Sequence, residues 1–256
     1  MKLASLAAAA AMTLAVPAFA APAAPATPVP AGIKNIVIVP DAFVDGSGWR
    51  VVHDILIHKG YHVQVVQERL ASLDDDVTNT NEIIRQQDGP TLLVGHGYGG
   101  AVISVAGVRG KVAGLVYVAA VQPDVGENMT LLLNSTSQPS DDLRPSRDGD
   151  IFFDMEKFGD DYAGDLSSNR TNYMAVSQVP ASVGAFGAMS FVAAWHNKPT
   201  YTVVATDDRF ISPDLQRSMA KRAGSKVTEI KASHAVYISQ PEAVAAAIEK
   251  AATETK

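Results

Sequence analysis

Ile36-Val37-Ile38-Val39 is an unbroken apolar run of strand length, the pattern of a parallel strand buried on both faces. Trp49, Val52 and Leu56 then recur at helical spacing, and Gly60 stands where such a helix would stop. Val63, Val65 and Val66 make the next strand-like run. Leu73 to Gln87 reads as a helix opened by Asp74, Asp75 and Asp76, whose carboxylates suit the positive end of the helix dipole. After the break at Gly89-Pro90, Thr91 to Val94 predicts a strand, Gly99 to Val108 a helix and Val112 to Ala120 a further strand. The rhythm lapses between Val121 and Pro199. It resumes with a strand over Tyr201 to Thr206, a helix over Pro213 to Arg222, a strand over Val227 to Lys231 and a helix over Pro241 to Ala251. Alternation of this kind predicts an α/β domain: a mostly parallel sheet of about six or more strands with helices on both faces.

The arrhythmic stretch is too long for a structureless loop in a compact domain. Amphipathic pieces such as Ile151 to Phe158 and Asn172 to Ser177 predict instead a helical cap over 121–199, laid on a core formed by 32–120 and 200–256. No internal repeat is present. Residues 1–20 read as a secretory signal peptide, with Lys2 as the only charge, an Ala- and Leu-rich apolar run and a small-x-small end at Ala18-Phe19-Ala20. Residues 21–31, with Pro22, Pro25, Pro28 and Pro30, form a stiff Ala/Pro-rich linker. This organisation predicts a periplasmic or secreted product that is soluble once the signal is cleaved.

Composition narrows the function. Of 256 residues, 47% are hydrophobic and 19% charged, enough apolar content for a sizeable core. The net charge of −6 offers no basic footprint for nucleic acid or an anionic membrane. Cysteine is absent, which removes disulfides, zinc–thiolate sites, iron–sulfur ligation and cysteine nucleophiles together. A small-molecule substrate or ligand is the expected partner. Oligomeric state is not legible in the sequence.

Open parallel sheets place their sites beyond the carboxyl ends of the strands, and three such ends carry chemistry here. The strand ending at Val94 runs into Gly95-His96-Gly97-Tyr98-Gly99-Gly100 and then a helix, the context of a nucleophile elbow. The strand ending at Thr206 is followed by Asp207-Asp208-Arg209, and the one ending at Lys231 by Ala232-Ser233-His234. Elbow, acid, histidine is the chain order of triads on such sheets.

These motifs, with Asp45-Gly46-Ser47-Gly48-Trp49, resemble the α/β-hydrolase superfamily in its branch of small esterases, plant methylesterases and hydroxynitrile lyases. The resemblance runs over Lys34 to Ala251. It implies the α/β-hydrolase fold, ester-directed chemistry and no metal or organic cofactor. It makes His234 the general base and Asp208 its orienting acid, with Asp207 the rival. The backbone N–H groups of Tyr98 and Ala42 would form the oxyanion hole.

Two positions depart from that pattern. The nucleophilic serine of the family falls on Gly97, which has no oxygen to attack a carbonyl. Ser104, two helical turns on, is no substitute. The His-Gly pair that usually precedes the oxyanion residue is Pro40-Asp41. A carboxylate there either turns to solvent or points inward, where it would repel a developing oxyanion and offer a second acid/base group beside His234. His53, His58, His62 and His196 read as packing or solvated residues, and His96 as part of the elbow itself.

Three functional readings follow: an esterase framework acting on small carboxylic esters, with hydrolysis lost or weakened at Gly97; a non-catalytic small-molecule binding protein; or a lyase or isomerase using His234 with Asp41.

Overall fold

The computed structural model describes residues 30–136 and 141–255. The signal-peptide expectation and all of the linker before Pro30 lie outside the described residues.

The predicted alternation forms one sheet. In chain order its first half comprises β1 (Asn35–Val39), α1 (Arg50–His58), β2 (His62–Val65), α2 (Leu73–Gln86), β3 (Thr91–Gly97), α3 (Gly99–Ala106) and β4 (Val112–Ala120). An insertion follows, carrying α4 (Met129–Asn134), β5 (Leu143–Pro145), β6 (Asp150–Phe153), α5 (Ser168–Val176), β7 (Ala181–Ser182) and α6 (Val183–Gly187). The core resumes with β8 (Thr200–Ala205), α7 (Pro213–Arg222), β9 (Lys226–Ile230), α8 (Val236–Ser239) and α9 (Pro241–Glu254). Six strands pair in the order β2-β1-β3-β4-β8-β9, every neighbour parallel.

Alternation along the central strands divides the core in two. Val37, Val39 and Leu93 face α2, α3 and α7, packing with Ile84, Val102 and Met219. Ile36, Ile38, Leu92 and Val94 face the other side, where Val52 and Leu56 of α1 meet Val244 and Ile248 of α9. That is why these strands are apolar at every position: each of their faces is covered by helices. Capping follows the sequence signals. The Ser72 hydroxyl accepts from Asp75 N–H at 3.1 Å and starts α2, and Ser212 caps α7 ahead of Pro213.

The insertion differs from the helical cap that its amphipathic pieces predicted. It also contains a three-stranded antiparallel sheet, β5-β6-β7. Ile151 to Phe158 splits into strand β6 and a turn that leads to a π-helical segment at Phe158–Tyr162. The reason is a period of two at its start: Ile151 and Phe153 are buried while Phe152 between them is exposed, and aromatic and β-branched residues favour such a pleated surface. Asn172 to Ser177 does fall largely within a helix, α5.

The elbow extends further than predicted: β3 continues through Gly97 and α3 begins two residues later. Close approach of the chain on its far side makes this possible. A side chain at Gly100 would place its Cβ 2.0 Å from the Val121 carbonyl oxygen, so β4 can lie against the start of α3 only over a glycine. Gly100→Ala should therefore lower stability by about 1–3 kcal/mol, the usual range for overpacking. Urea unfolding of the variant against the parent protein measures it; an unchanged midpoint would show that the elbow has slack there.

Candidate active site

Gly97 ends β3 with φ of 52°, in the left-handed region that glycine adopts without a Cβ penalty. Tyr98 follows, its ring fixed by a hydrogen bond to Asp76 Oδ2 at 3.0 Å and stacked on Phe186. Asp76 sits in the first turn of α2 and also accepts from the N–H groups of Arg69 and Leu70. The elbow is thereby tied to an element more than twenty residues away. The acid loop after β8 buries Asp208, whose Oδ1 accepts from Phe210 and Ile211 N–H and whose Oδ2 accepts from Gln216 Nε2 at 2.8 Å. Asp207, the rival acid, points outward. The histidine loop after β9 is held by the insertion: Asp165 accepts from both the amide and the hydroxyl of Ser233, and Ala235 N–H donates to Tyr162 O.

Asp41 points inward. Its Oδ1 accepts from Tyr98 N–H at 2.5 Å, the donor expected to face an oxyanion. Its Oδ2 accepts from Tyr162 O–H at 3.0 Å and from His234 Nε2 at 3.0 Å. His234 Nδ1 in turn donates to Asp208 Oδ2 at 2.7 Å. Asp41, His234 and Asp208 are thus one buried chain of hydrogen bonds, with no side-chain surface of Asp41 or His234 exposed. Ala42, expected as the second donor of the hole, is buried directly after Asp41.

The decisive geometry is at Gly97. A Cβ built there would lie 2.0 Å from Asp41 Cγ and Oδ1 and 2.5 Å from Oδ2. The Asp41 carboxylate occupies the volume that a side chain at position 97 would need. The two departures from the esterase pattern are therefore a single steric exchange: a serine cannot stand at 97 while this carboxylate lies where it does.

A model of the family described as alpha/beta hydrolase matches residues 36–247. The chain belongs to the alpha/beta hydrolase family. It is 25% identical over 244 residues to a pyrethroid hydrolase of Sphingobium wenxiniae, spanning 84% of this chain and 86% of that one. Among solved structures it resembles a pyrethroid hydrolase (TM-score 0.75, 23% identity, 87% of this chain and 98% of that chain). It also resembles polyneuridine aldehyde esterase (TM-score 0.71, 18% identity, 85% and 98%) and an extracellular alpha/beta-hydrolase from a Paenibacillus species (TM-score 0.73, 15% identity, 86% and 99%). At these identities the structural likeness establishes the hydrolase fold.

Electrostatics of the site follow from enclosure and pairing. Burial by itself would lower the His234 pKa, but the Asp208 and Asp41 carboxylates on either side outweigh it and lift the imidazole to about 10. Burial would raise the Asp41 carboxyl. The His234 hydrogen bond and charge, with the Tyr98 N–H, prevail and hold it below the ordinary carboxylate range. Burial lifts the Asp208 carboxyl. At neutral pH His234 is therefore an imidazolium donating from both nitrogens, and in this resting state it is an acid rather than a base.

Neighbouring groups set limits on other chemistry. His96 packs 4.6 Å from the His234 ring, donates from Nε2 to His234 O, and is held neutral by burial, with its pKa pushed down to about 3. Asp41, His96 and His234 have ligand atoms within 4.8 Å of one another. Asp41 and His234 already bond each other directly, so their closeness needs no bridging ion. Ser104 donates to Gly100 O and bonds the Tyr117 hydroxyl, away from the site. His53 and His58 bond Asp54 locally, and His196 bonds Asp124 across the insertion.

Sequence reasoning missed Tyr162, Asp76, Gln216 and Asp165. Each reaches the site through a tertiary contact, and the only hint in the sequence was the place of Asp76 in an acidic first turn.

Two measurements test this geometry. In a double-mutant cycle, Gly97→Ala should destabilise the protein, and Asp41→Gly should relieve that cost, giving a coupling of about 1 kcal/mol or more between the two sites; additive effects would mean that the carboxylate moves aside freely. The second concerns pH. His234 is raised from 6.5 to about 10 on folding, so its pairing stabilises fully below pH 6.5 and is lost as pH rises through 10. Urea midpoints should fall across that window, and Asp41→Asn, which removes one of the two flanking charges, should flatten the fall.

Proposed function

We propose that this protein is a small-molecule hydrolase in which serine-type ester cleavage has been given up and the Asp41 carboxylate holds the nucleophile's place. One observation carries the reading: the carboxylate fills the space of a side chain at 97 while bonding both groups that such a nucleophile would use, Tyr98 N–H and His234 Nε2. Membership of the hydrolase family and the likeness to hydrolases and esterases support a small-molecule substrate. Export to the periplasm or the medium belongs to the same proposal and rests on the amino-terminal pattern ending Ala18-Phe19-Ala20.

A non-catalytic binding protein is the second reading, favoured by the complete enclosure of Asp41 and His234. A cavity of about 200 Å³ is bounded by Phe43, Arg170 and Tyr237 and is lined by neither Asp41 nor His234. Phe43, packed on Phe153, Phe186 and Phe210, belongs both to this cavity wall and to the aromatic cluster around the site. Acid/base chemistry of the lyase or isomerase kind uses the same Asp41–His234 contact, and the resting imidazolium of His234 weighs against it as the starting base.

Hydrolysis of a short-chain aryl ester tests the proposal. The parent protein should be slow, and Gly97→Ser alone should gain nothing because its side chain meets Asp41. Asp41→Gly with Gly97→Ser together should gain about 10²-fold or more, and that gain should vanish on adding His234→Ala. Fast ester cleavage by the parent that survives Asp41→Asn would overturn the reading, as would a folded double variant with no gain.

A further inference from the structure

We propose that the cavity between α5 and the loop after β1 is a binding site for a small zwitterion with an apolar body, the chemistry that an apolar α-amino acid presents. The site is separate from Asp41 and His234, and the assignment does not depend on whether those residues turn over a substrate.

Three segments enclose the volume of about 200 Å³. On α5, Arg170, Tyr173, Met174 and Ser177 stand at i, i+3, i+4 and i+7, so one face of the helix lines it. Phe43, Val44 and Asp45 line it from the loop after β1, and Tyr237 and Ile238 from α8. Small-molecule pockets usually hold roughly 300–1,000 Å³, so the ligand here must be compact.

Arg170 and Asp45 bring opposite charges to this cavity from different segments. The Arg170 guanidinium has no hydrogen-bond or ion-pair partner among the described residues. Asp45 uses Oδ1 to accept from the amide and the hydroxyl of Ser47, which caps the short turn at Gly46–Trp49. Its Oδ2 accepts no hydrogen bond among the described residues, and no cation pairs with it there. Two opposite charges that line one cavity without neutralising each other are complementary to a ligand that carries both signs. A carboxylate alone would meet Arg170 and be repelled by Asp45; an amine alone would meet Asp45 and be repelled by Arg170. Both side chains are exposed. The charged ends of the ligand therefore keep contact with water, and only its apolar body is desolvated.

A hydroxyl supplies the third anchor. Tyr237 is fully buried, and its Oη has no hydrogen-bond partner among the described residues. An unpaired buried hydroxyl costs the fold stability that a bound acceptor would restore. It lies at the cavity wall: a Cβ built on Gly48, itself a wall residue, would stand 3.1 Å from it. Burial lifts the phenol above its ordinary pKa, so the hydroxyl keeps its proton and offers a donor. Arg170 and Asp45 both lie near enough to act on that phenol electrostatically, which brings the three polar groups together around one ligand position. The ligand carboxylate takes charge-assisted hydrogen bonds from Arg170 and Tyr237, and its ammonium faces Asp45 Oδ2. Its apolar body rests on Phe43, Val44, Met174 and Ile238, which already pack within the core.

Calorimetric titration of the mature protein near neutral pH tests the site. The probes are L-phenylalanine, hydrocinnamate, which lacks its ammonium, and phenethylamine, which lacks its carboxylate. L-Phenylalanine should bind, and each analogue should bind about tenfold more weakly or worse, the loss expected for one charge-assisted hydrogen bond. Arg170→Gln should erase the advantage over phenethylamine. Asp45→Asn, which keeps an acceptor for Ser47, should erase the advantage over hydrocinnamate. Tyr237→Phe should weaken L-phenylalanine about fivefold or more, yet leave the urea midpoint of the free protein unchanged or raised, because the hydroxyl it removes has no partner to lose. Hydrocinnamate or phenethylamine binding as tightly as the amino acid would overturn the assignment. So would binding left undiminished by both Arg170→Gln and Asp45→Asn, since the ligand would then sit elsewhere. Failure of both L-phenylalanine and the smaller L-leucine to bind the folded parent protein would overturn the site itself. If a variant fails to fold, the ligand series on the parent protein decides alone.

Discussion

One small volume, bounded by Tyr98 N–H, His234 Nε2 and the backbone of Gly97, admits a single side chain. Whatever occupies it receives the hydrogen bonds of the elbow and of the histidine. In this protein it is filled by the Asp41 carboxylate, entering from the end of β1 rather than from the elbow. Every unusual feature of the site follows from that occupancy. Position 97 must be small, the imidazole must be protonated, and Tyr162 finds an anion to which it can donate.

Burying a carboxylate costs several kcal/mol unless its charge is paired and its lone pairs are satisfied. Asp41 meets both conditions with three donors and one cation, and Asp208 receives four hydrogen bonds of its own. Two carboxylates thus share one imidazolium. The arrangement is coupled: a change that neutralises Asp41 removes part of what keeps His234 charged.

The fold supplies the precision. Parallel strands β1, β3, β8 and β9 deliver Asp41, Gly97, Asp208 and His234 to the same edge of the sheet because parallel strands all end on one side. The insertion then fixes what the strand ends leave loose. Asp165 anchors the histidine loop through Ser233, Tyr162 bonds Asp41, and Phe186 stacks on Tyr98. The insertion is therefore part of the site's framework as well as its cover.

The alternation of apolar runs and helical spacing determined the sheet, its parallel strands and the flanking helices, because strands covered on both faces must be apolar at every position. Chain order and the glycines of the elbow likewise placed Gly97, Asp208 and His234 at the carboxyl ends of three parallel strands. The small sheet within the insertion was less legible, since β6 is only four residues long and runs into a turn, leaving little room for its period of two to stand out. The direction of Asp41 was not legible at all. Pro40-Asp41 reads equally well as a solvated turn or as an inward carboxylate. The choice depends on the Tyr98 amide, the Tyr162 hydroxyl and the His234 imidazole converging on one point from three distant parts of the chain. A buried charge is decided by the partners that tertiary structure brings to it, and no local pattern records them.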